Sequence, residues 1–190
     1  MSKNSDFKFI KKYIKILSSL ISFDQNSLNK IINAKDLIIQ TKKKKAKIII
    51  FGNGGSSAIA SHFTVDMIKN SGIECVNFNE YDHITCMSND FGYENWIKKT
   101  LEFHLKKDDL VILISSSGMS KNIINAAKFL KKKNNKLITL TGFNKKNLLQ
   151  KYGNINFWIN SSVYNIVENA HQIILLLIND LTSLQLKDLK

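Results

Sequence analysis

The chain has 190 residues, 44% of them hydrophobic, and a formal net charge of +13. Its size and composition are typical of one globular domain with a sizeable core. No apolar run reaches the roughly 18 residues of a membrane helix, and the first residues lack the unbroken apolar core of a signal peptide. We therefore expect a cytoplasmic protein with no membrane contact.

The positive charge comes from 28 basic residues, all of them lysine. They are spread along the chain, apart from runs at Lys42–Lys45 and Lys131–Lys133. Because arginine is absent, the usual bidentate recognition of guanine is not possible. The charge favours small anionic substrates, and at most a weak, salt-dependent and sequence-independent contact with DNA. We expect no specific nucleic-acid partner.

Apolar residues at helical spacing predict two helices within residues 7–43. Five short runs rich in β-branched and aromatic residues predict strands at 47–52, 74–78, 109–115, 136–142 and 155–159. Further helices are predicted at 56–70, 93–106, 120–133, 144–151 and 164–186. Alternating strands and helices predict an α/β fold, with a parallel sheet covered by helices on both faces.

The chain shows no internal linker or repeat, so one domain is expected over residues 1–190. Within it, residues 1–43 form N-terminal helices and residues 44–190 form the α/β core with a C-terminal helix. The segment "IILLLI" (173–178) makes that last helix very apolar. Packing against another subunit would explain this pattern, and a core helix within a monomer is the alternative.

Two loops rich in glycine and serine follow predicted strands: "GNGGSS" (52–57) and "SSSGMSKN" (115–122). Glycines allow backbone N–H groups to converge on an anion, and the helix that follows each loop presents its positive end. Ligands of open parallel sheets bind beyond the carboxyl ends of the strands. Either loop alone could be a plain turn, but together they could enclose one phosphate. Ser57 replaces a glycine of the dinucleotide fingerprint, and no GK[ST] ending of a Walker loop is present.

The segments "FGNGGSSAIASHF", "SNDFGYE" and "LISSSGMSKNIINAAK" resemble the sugar isomerase (SIS) domain family. The similarity spans about residues 10–185 and is greatest to phosphoheptose isomerases, which convert sedoheptulose 7-phosphate into a heptose phosphate. It implies a flavodoxin-like, doubly wound five-stranded sheet and a homotetramer with sites between subunits. It also implies an aldose–ketose isomerase that serves lipopolysaccharide or capsule synthesis.

The same resemblance assigns the substrate-binding positions. Four serines match phosphate-binding residues, a fifth stands where the family has threonine, and an asparagine and an aspartate match contacts to sugar hydroxyls. With the loop glycines, the set is Asn53, Gly54, Gly55, Ser56, Asp90, Ser115, Ser116, Ser117 and Ser120.

The catalytic positions of the family are less well preserved. The relatives use a His-x-x-x-Glu pair after the glycine loop and a glutamine and a histidine on the last helix, and several bind zinc with this set. Here the four positions are occupied by His62, Asp66, Glu168 and Leu176. The i, i+4 spacing of the first two places them on one helical face. Leucine can neither transfer a proton nor bind a metal.

We expect Glu168 to act as the base, with His62 and Asp66 orienting the substrate or a metal. His171, three residues after Glu168, could supply the missing imidazole, or it could simply pack at a subunit contact. If Asp66 and Glu168 approach each other, the pKa of at least one should rise. The enzyme would need either no cofactor or one divalent metal, zinc, held by His62, Asp66 and Glu168.

Two functions remain open. One is a phosphosugar isomerase that binds its substrate between the two loops. The alternative is a non-catalytic sugar-phosphate-binding SIS protein, acting as a sensor or a protein-interaction partner, since such a protein would keep the phosphate loops and lose the histidine.

Overall fold

A computed structural model of the chain describes residues 3–188. It contains five strands, each within a predicted run. Their bounds are β1 Ile48–Phe51, β2 Cys75–Val76, β3 Leu110–Ser115, β4 Lys136–Thr141 and β5 Ile155–Trp158. Seven α-helices are present in this part of the chain: α1 Lys3–Ile21, α2 Gln25–Lys43, α3 Gly55–Ser71, α4 Tyr81–Phe91, α5 Trp96–His104, α6 Lys121–Lys133 and α7 Tyr164–Asp188.

The strands form one sheet in the order β2-β1-β3-β4-β5, and every neighbouring pair is parallel. In the register, Ile48 of β1 lies opposite Cys75 on one side and Leu110 on the other. This is the flavodoxin-like order of a doubly wound sheet. The predicted fold class is therefore confirmed.

The side chains of β1 alternate between two hydrophobic clusters because successive residues of a strand point to opposite faces. Ile48 and Ile50 pack with residues of α2, α3 and α7 on one face of the sheet. Ile49 and Phe51 pack with residues of α5 and α6 on the other. Burial on both faces explains why β1 and β3 are apolar along nearly their whole length.

The N-terminal helices differ in how they contribute to the core. On α2, Ile31, Ala34 and Ile38 are fully buried in the cluster shared with α3 and α7. On α1 none of the described residues is buried, although Leu17, Leu20 and Ile21 pack against the same cluster. The first half of α1 therefore projects its apolar side chains into solvent.

The prediction of a helix at 144–151 is wrong, since only the 3₁₀ turn Leu149–Lys151 forms there. The Oδ1 atom of Asn144 accepts a bond from the backbone N–H of Lys146 at 2.8 Å. The Oδ1 of Asn147 accepts one from the backbone N–H of Gln150 at 3.3 Å. Such local bonds compete with the helical pattern.

Helix α4 was not predicted; none of its residues is fully buried, and Ile84 and Met87 are the partly buried residues that pack against the core. Among residues 3–188, no helix combines the length and the apolar character needed to cross a membrane.

Candidate functional site

A crevice opens where the chain reverses its direction of winding across the sheet. From β1 the chain crosses to β2 at one edge, then returns to β3 on the other side of β1. The connections that leave β1 and β3 therefore diverge, and ligands of doubly wound folds bind at this point. The two loops that the sequence singled out both lie here.

The first loop bends sharply between β1 and α3. Gly54 is the N-cap residue of α3 and has a φ of 53°, a backbone conformation that strongly favours glycine. No side chain caps the helix. The N–H groups of Ser56 and Ser57 donate to the carbonyls of Asn53 and Gly54, and the positive end of the α3 dipole faces the crevice.

The second loop follows β3 and ends where α6 begins. The hydroxyls of Ser115 and Ser120 lie 3.2 Å apart and share a hydrogen bond. The hydroxyl of Ser117 accepts a bond from the backbone N–H of Met119 at 3.2 Å. The hydroxyl of Ser116 is buried and has no hydrogen-bond partner among the described residues. Helix α6 also lacks a side-chain cap.

The two loops enclose a cavity of about 280 Å³. Eight of the nine predicted substrate-binding residues line it, together with Glu168 and two residues that the sequence did not suggest. The lining residues are Asn53, Gly54, Gly55, Ser56, Ile114, Ser115, Ser116, Ser117, Ser120, Tyr164 and Glu168. The polar groups of both loops thus converge on one space.

Asn53 is held in place by reciprocal amide hydrogen bonds with the buried Asn122, at 3.0 and 2.9 Å. The hydroxyl of Tyr93 also donates to the Oδ1 of Asn53, at 3.3 Å. Both acceptor sites of the oxygen are therefore occupied, and one amide hydrogen remains. Asn53 can donate one further hydrogen bond into the cavity.

The ninth predicted residue, Asp90, is not part of this cavity. It lies exposed near the end of α4, where its carboxylate accepts bonds from Asn89 and Cys86. Within this chain alone, Asp90 therefore does not reach the space between the loops.

A second cavity of about 350 Å³ adjoins the first, and Gly55 and Glu168 line both. Its other lining residues come from α3 and from the first half of α7: Ala58, Ile59, His62, Asn165, Asn169 and Gln172. Glu168 therefore stands between the two spaces. Burial raises the pKa of its carboxyl group above the ordinary value.

The expected pairing of Asp66 with Glu168 is not seen. The Asp66 carboxylate contacts the Nε2 of His62 at 3.3 Å, on the same face of α3. The raised pKa of Glu168 has burial as its cause rather than a neighbouring carboxylate. Asp66 also lines neither of the two cavities.

His171 must also be reassigned, because it lies in the hydrophobic core. It is fully buried, and its Nε2 is 3.0 Å from the carbonyl oxygen of Thr141 in β4. Burial lowers the pKa of this imidazole to about 4, so the ring is neutral at physiological pH. His171 cannot supply the imidazole missing at Leu176, because it contacts neither cavity.

The residues present do not fit a zinc site. Within residues 3–188, no group of three His, Cys, Asp or Glu side chains lies close enough to hold a metal ion. Of the expected set, His62 and Glu168 line the second cavity, whereas Asp66 contacts His62 on α3 and lines neither cavity. Leu176, at the fourth position, offers no ligand atom.

The sequence reasoning missed two residues on α7. Tyr164 lines the cavity between the two loops. Gln172 lines the second cavity and contacts His62 at 3.3 Å. Gln172 lies one helical turn after Glu168, so the i, i+4 rule applied to Glu168 could have identified it.

The SIS domain model matches residues 8–142 of this chain. A phosphoheptose isomerase from Histophilus somni is 36% identical over 132 residues, which are 67% of this chain and 67% of that protein. A phosphoheptose isomerase from Glaesserella parasuis is also 36% identical over 132 residues, with 67% and 68% covered.

The fold is similar to the solved structure of a phosphoheptose isomerase from Francisella tularensis. The TM-score is 0.83 at 23% sequence identity, with 96% of this chain and 98% of that chain covered. Fold, crevice and sequence thus agree with the resemblance that the loop motifs suggested, and the chain belongs to the SIS domain family.

Proposed function

We propose that this protein is a phosphosugar aldose–ketose isomerase that acts on sedoheptulose 7-phosphate or a closely similar ketose phosphate. The observation that carries the proposal is the cavity at the carboxyl ends of β1 and β3, with serine hydroxyls on its walls and the Glu168 carboxylate at its border. The relatives at 36% identity bear the name of this activity.

The phosphate would bind between the two loops. Ser56, Ser115, Ser116, Ser117 and Ser120 offer neutral hydroxyl donors, and α3 and α6 direct their N-terminal ends to the same space. Helix N-termini of this kind bind phosphate without a basic side chain. The unpartnered hydroxyl of Ser116 supports this role, because a buried polar group without a partner is unfavourable until a ligand satisfies it.

The reaction moves a proton between adjacent carbons. A base removes a proton from carbon 1 of the ketose, and the electron pair forms an enediolate as negative charge develops on oxygen 2. A proton then returns to carbon 2, while the proton of the carbon 1 hydroxyl is transferred to oxygen 2, which leaves an aldehyde at carbon 1 and a hydroxyl at carbon 2. The position of Glu168 between the two cavities supports its role as the base. A pKa raised by burial makes a carboxylate a stronger base.

The remaining parts of the site would come from neighbouring subunits. We infer a homotetramer because the first half of α1 exposes Phe7, Phe9, Ile10 and Ile14, each more than 50% accessible. A run of this kind on one helix is typical of a surface that another chain covers. Asp90, which lies outside the cavity of its own chain, could then reach the site of a neighbour. Cytoplasmic surface-carbohydrate synthesis, of lipopolysaccharide or capsule, is the process we propose for the product.

Incubation of the purified protein with sedoheptulose 7-phosphate in D₂O tests the proposal. We expect an aldose phosphate that carries deuterium at carbon 2, observed by NMR, because the base exchanges its proton with solvent. Saturable binding of the sugar phosphate in a thermal-shift assay, without deuterium incorporation, would instead support the non-catalytic alternative. The absence of both binding and deuterium exchange would refute the proposed substrate class.

A further inference from the structure

The imidazole of His62 is held by two side chains at once. On α3, its Nε2 lies 3.3 Å from the Oδ2 of Asp66. On α7, the Nε2 of Gln172 lies 3.3 Å from its Nδ1. The ring is 48% exposed and borders the cavity next to Glu168, yet both of its nitrogens have a protein partner.

The chemistry of the amide fixes the protonation of the ring. The Nε2 of glutamine carries two hydrogens and can only donate, so the Nδ1 of His62 must accept. In a neutral imidazole the other nitrogen then carries the proton. The nitrogen that carries the proton, Nε2, is the one that lies 3.3 Å from the Oδ2 of Asp66.

We propose that Gln172 is a positioning residue, which holds His62 in the Nε2–H tautomer and directs it at Asp66 in place of a metal ion. The expected effect of Gln172 on catalysis rests on the proposed function, whereas the tautomer of His62 does not. The hydrogen bond of Gln172 to His62 and the contact of His62 with Asp66 link α7 to α3 along the wall of the second cavity.

The poor fit of the residues around His62 to a metal site supports the same inference. A histidine binds a metal through the lone pair of an unprotonated ring nitrogen. In this arrangement the only such nitrogen of His62 is the Nδ1 that accepts from Gln172. A metal at the Nε2 of His62 would require the other tautomer, with the amide of Gln172 turned so that its Oε1 accepts from Nδ1–H, and Leu176 offers nothing to complete the coordination. The tautomer that Gln172 holds and a metal bound at the Nε2 of His62 therefore exclude each other.

The tautomer can be read directly by NMR of protein with ¹⁵N-labelled histidine. The chain has four histidines, and the His62→Asn variant assigns the signal of His62 by its disappearance. We expect the Nε2–H pattern in the wild type and a mixture of tautomers in Gln172→Leu. In Gln172→Glu the carboxylate accepts a hydrogen bond from Nδ1–H, so the pattern should change to Nδ1–H or to the doubly protonated ring.

Asn169→Leu is the matched control, because Asn169 lies on the same helix and lines the same cavity, while its amide bonds to the carbonyl of Asn165. It should leave the His62 signal unchanged. In turnover, Gln172→Leu should lower kcat by about tenfold with KM within about twofold, the size of one ordinary hydrogen bond.

Three results would overturn the inference: an Nδ1–H pattern in the wild type, an unchanged His62 signal in Gln172→Leu, or a change of the His62 nitrogen shifts on addition of stoichiometric zinc. A wild-type protein with no activity on sedoheptulose 7-phosphate would refute the proposed function instead. The NMR readout does not depend on turnover, so the two failures can be told apart.

Discussion

Gly55 on α3 lies directly against the carboxylate of Glu168 on α7. A Cβ atom built at position 55 would collide with the Oε2 of Glu168 and approach both other atoms of the carboxylate group. The glycine is therefore needed for more than the turn that precedes α3. It provides the space in which the proposed base sits between the two cavities.

Replacement of Gly55 by alanine should displace the carboxylate and destabilise the protein. Because the carboxylate is the end of a flexible side chain, its displacement should cost no more than about 1 kcal/mol, the lower end of the range for overpacking. We expect the free energy of unfolding, measured with urea, to fall by at most this amount. We also expect kcat to fall at least tenfold, because Glu168 no longer occupies its position next to the substrate.

The Glu168→Ala background is the control for this substitution. With the carboxylate removed, Gly55→Ala should become neutral or slightly stabilising, since alanine favours a helix over glycine by up to about 1 kcal/mol. An equal loss of stability in both backgrounds would show that the contact with Glu168 is not the reason for the glycine.

Glu168→Gln should nearly abolish turnover while the protein still binds its ligand. Loss of a general base typically lowers the rate by about 10²–10⁴-fold. We expect a fall in kcat within this range, with KM for sedoheptulose 7-phosphate changed less than about threefold. Deuterium exchange at carbon 2 should fall with kcat. Retained exchange would assign the base to another residue.

The same variant has a predictable effect on the pH dependence of stability. Burial raises the pKa of Glu168 in the folded state, so the unfolded chain loses this proton at lower pH than the folded one. Stability from the protonated form is present below the unfolded pKa and is lost as the pH rises through the folded pKa. Glu168→Gln cannot ionise, so its Tm should exceed that of the wild type at pH 7–8, and the difference should vanish near pH 4. A wild type that is more stable than Glu168→Gln at pH 8 would contradict a pKa of Glu168 raised by burial.

Ser116→Ala should affect stability and ligand binding in opposite directions. The hydroxyl of Ser116 is buried without a partner in the described part of the chain, so its removal should raise the free energy of unfolding by up to about 1 kcal/mol. It should weaken binding of sedoheptulose 7-phosphate about tenfold, because a hydrogen bond to the phosphate is lost. Ser57→Ala is the control, since Ser57 does not line the cavity. Weaker binding by the control alone would place the phosphate elsewhere.

The phosphate loops could be predicted from the sequence because their function depends on local chemistry. Gly54, Ser56 and Ser117 lie directly after apolar strands, and parallel strands bring such loops to one edge of the sheet. The acid/base residues could not be predicted in the same way. Which residues of α3 face which residues of α7 depends on how the two helices pack, and the sequence alone did not pair His62 with Gln172.

His171 is a second residue whose position could not be predicted from the sequence. Its spacing from Glu168 indicated a shared helical face, but α7 is buried against β4 along the side that carries His171. Three residues advance about 300° around the helix axis, so Glu168 and His171 are neighbours that point about 60° apart. One of them reaches the cavities and the other reaches the core.

His171→Gln should therefore change stability rather than catalysis. Burial lowers the pKa of His171 to about 4, below the ordinary value near 6.5. The stability that this neutral ring provides is complete above pH 6.5 and is lost as the pH falls to about 4, since the unfolded chain binds the proton first. The wild type should lose roughly 3 kcal/mol over this window from this group. Glutamine can still donate to the Thr141 carbonyl but cannot titrate, so the variant should show a shallower loss, with kcat within about threefold of the wild type at pH 7.5.

The exposed face of α1 should be a subunit contact. Ile10 and Ile14 are 54% and 55% exposed and lie one helical turn apart. Ile10→Asp with Ile14→Asp should convert the proposed tetramer into smaller species in light scattering coupled to size-exclusion chromatography. Turnover should fall with the tetramer, because the proposed sites lie between subunits. Lys11→Ser with Lys15→Ser changes the net charge equally and should preserve both assembly and activity. A wild-type monomer with full activity would refute the proposed assembly and would require Asp90 to act, if at all, within its own chain.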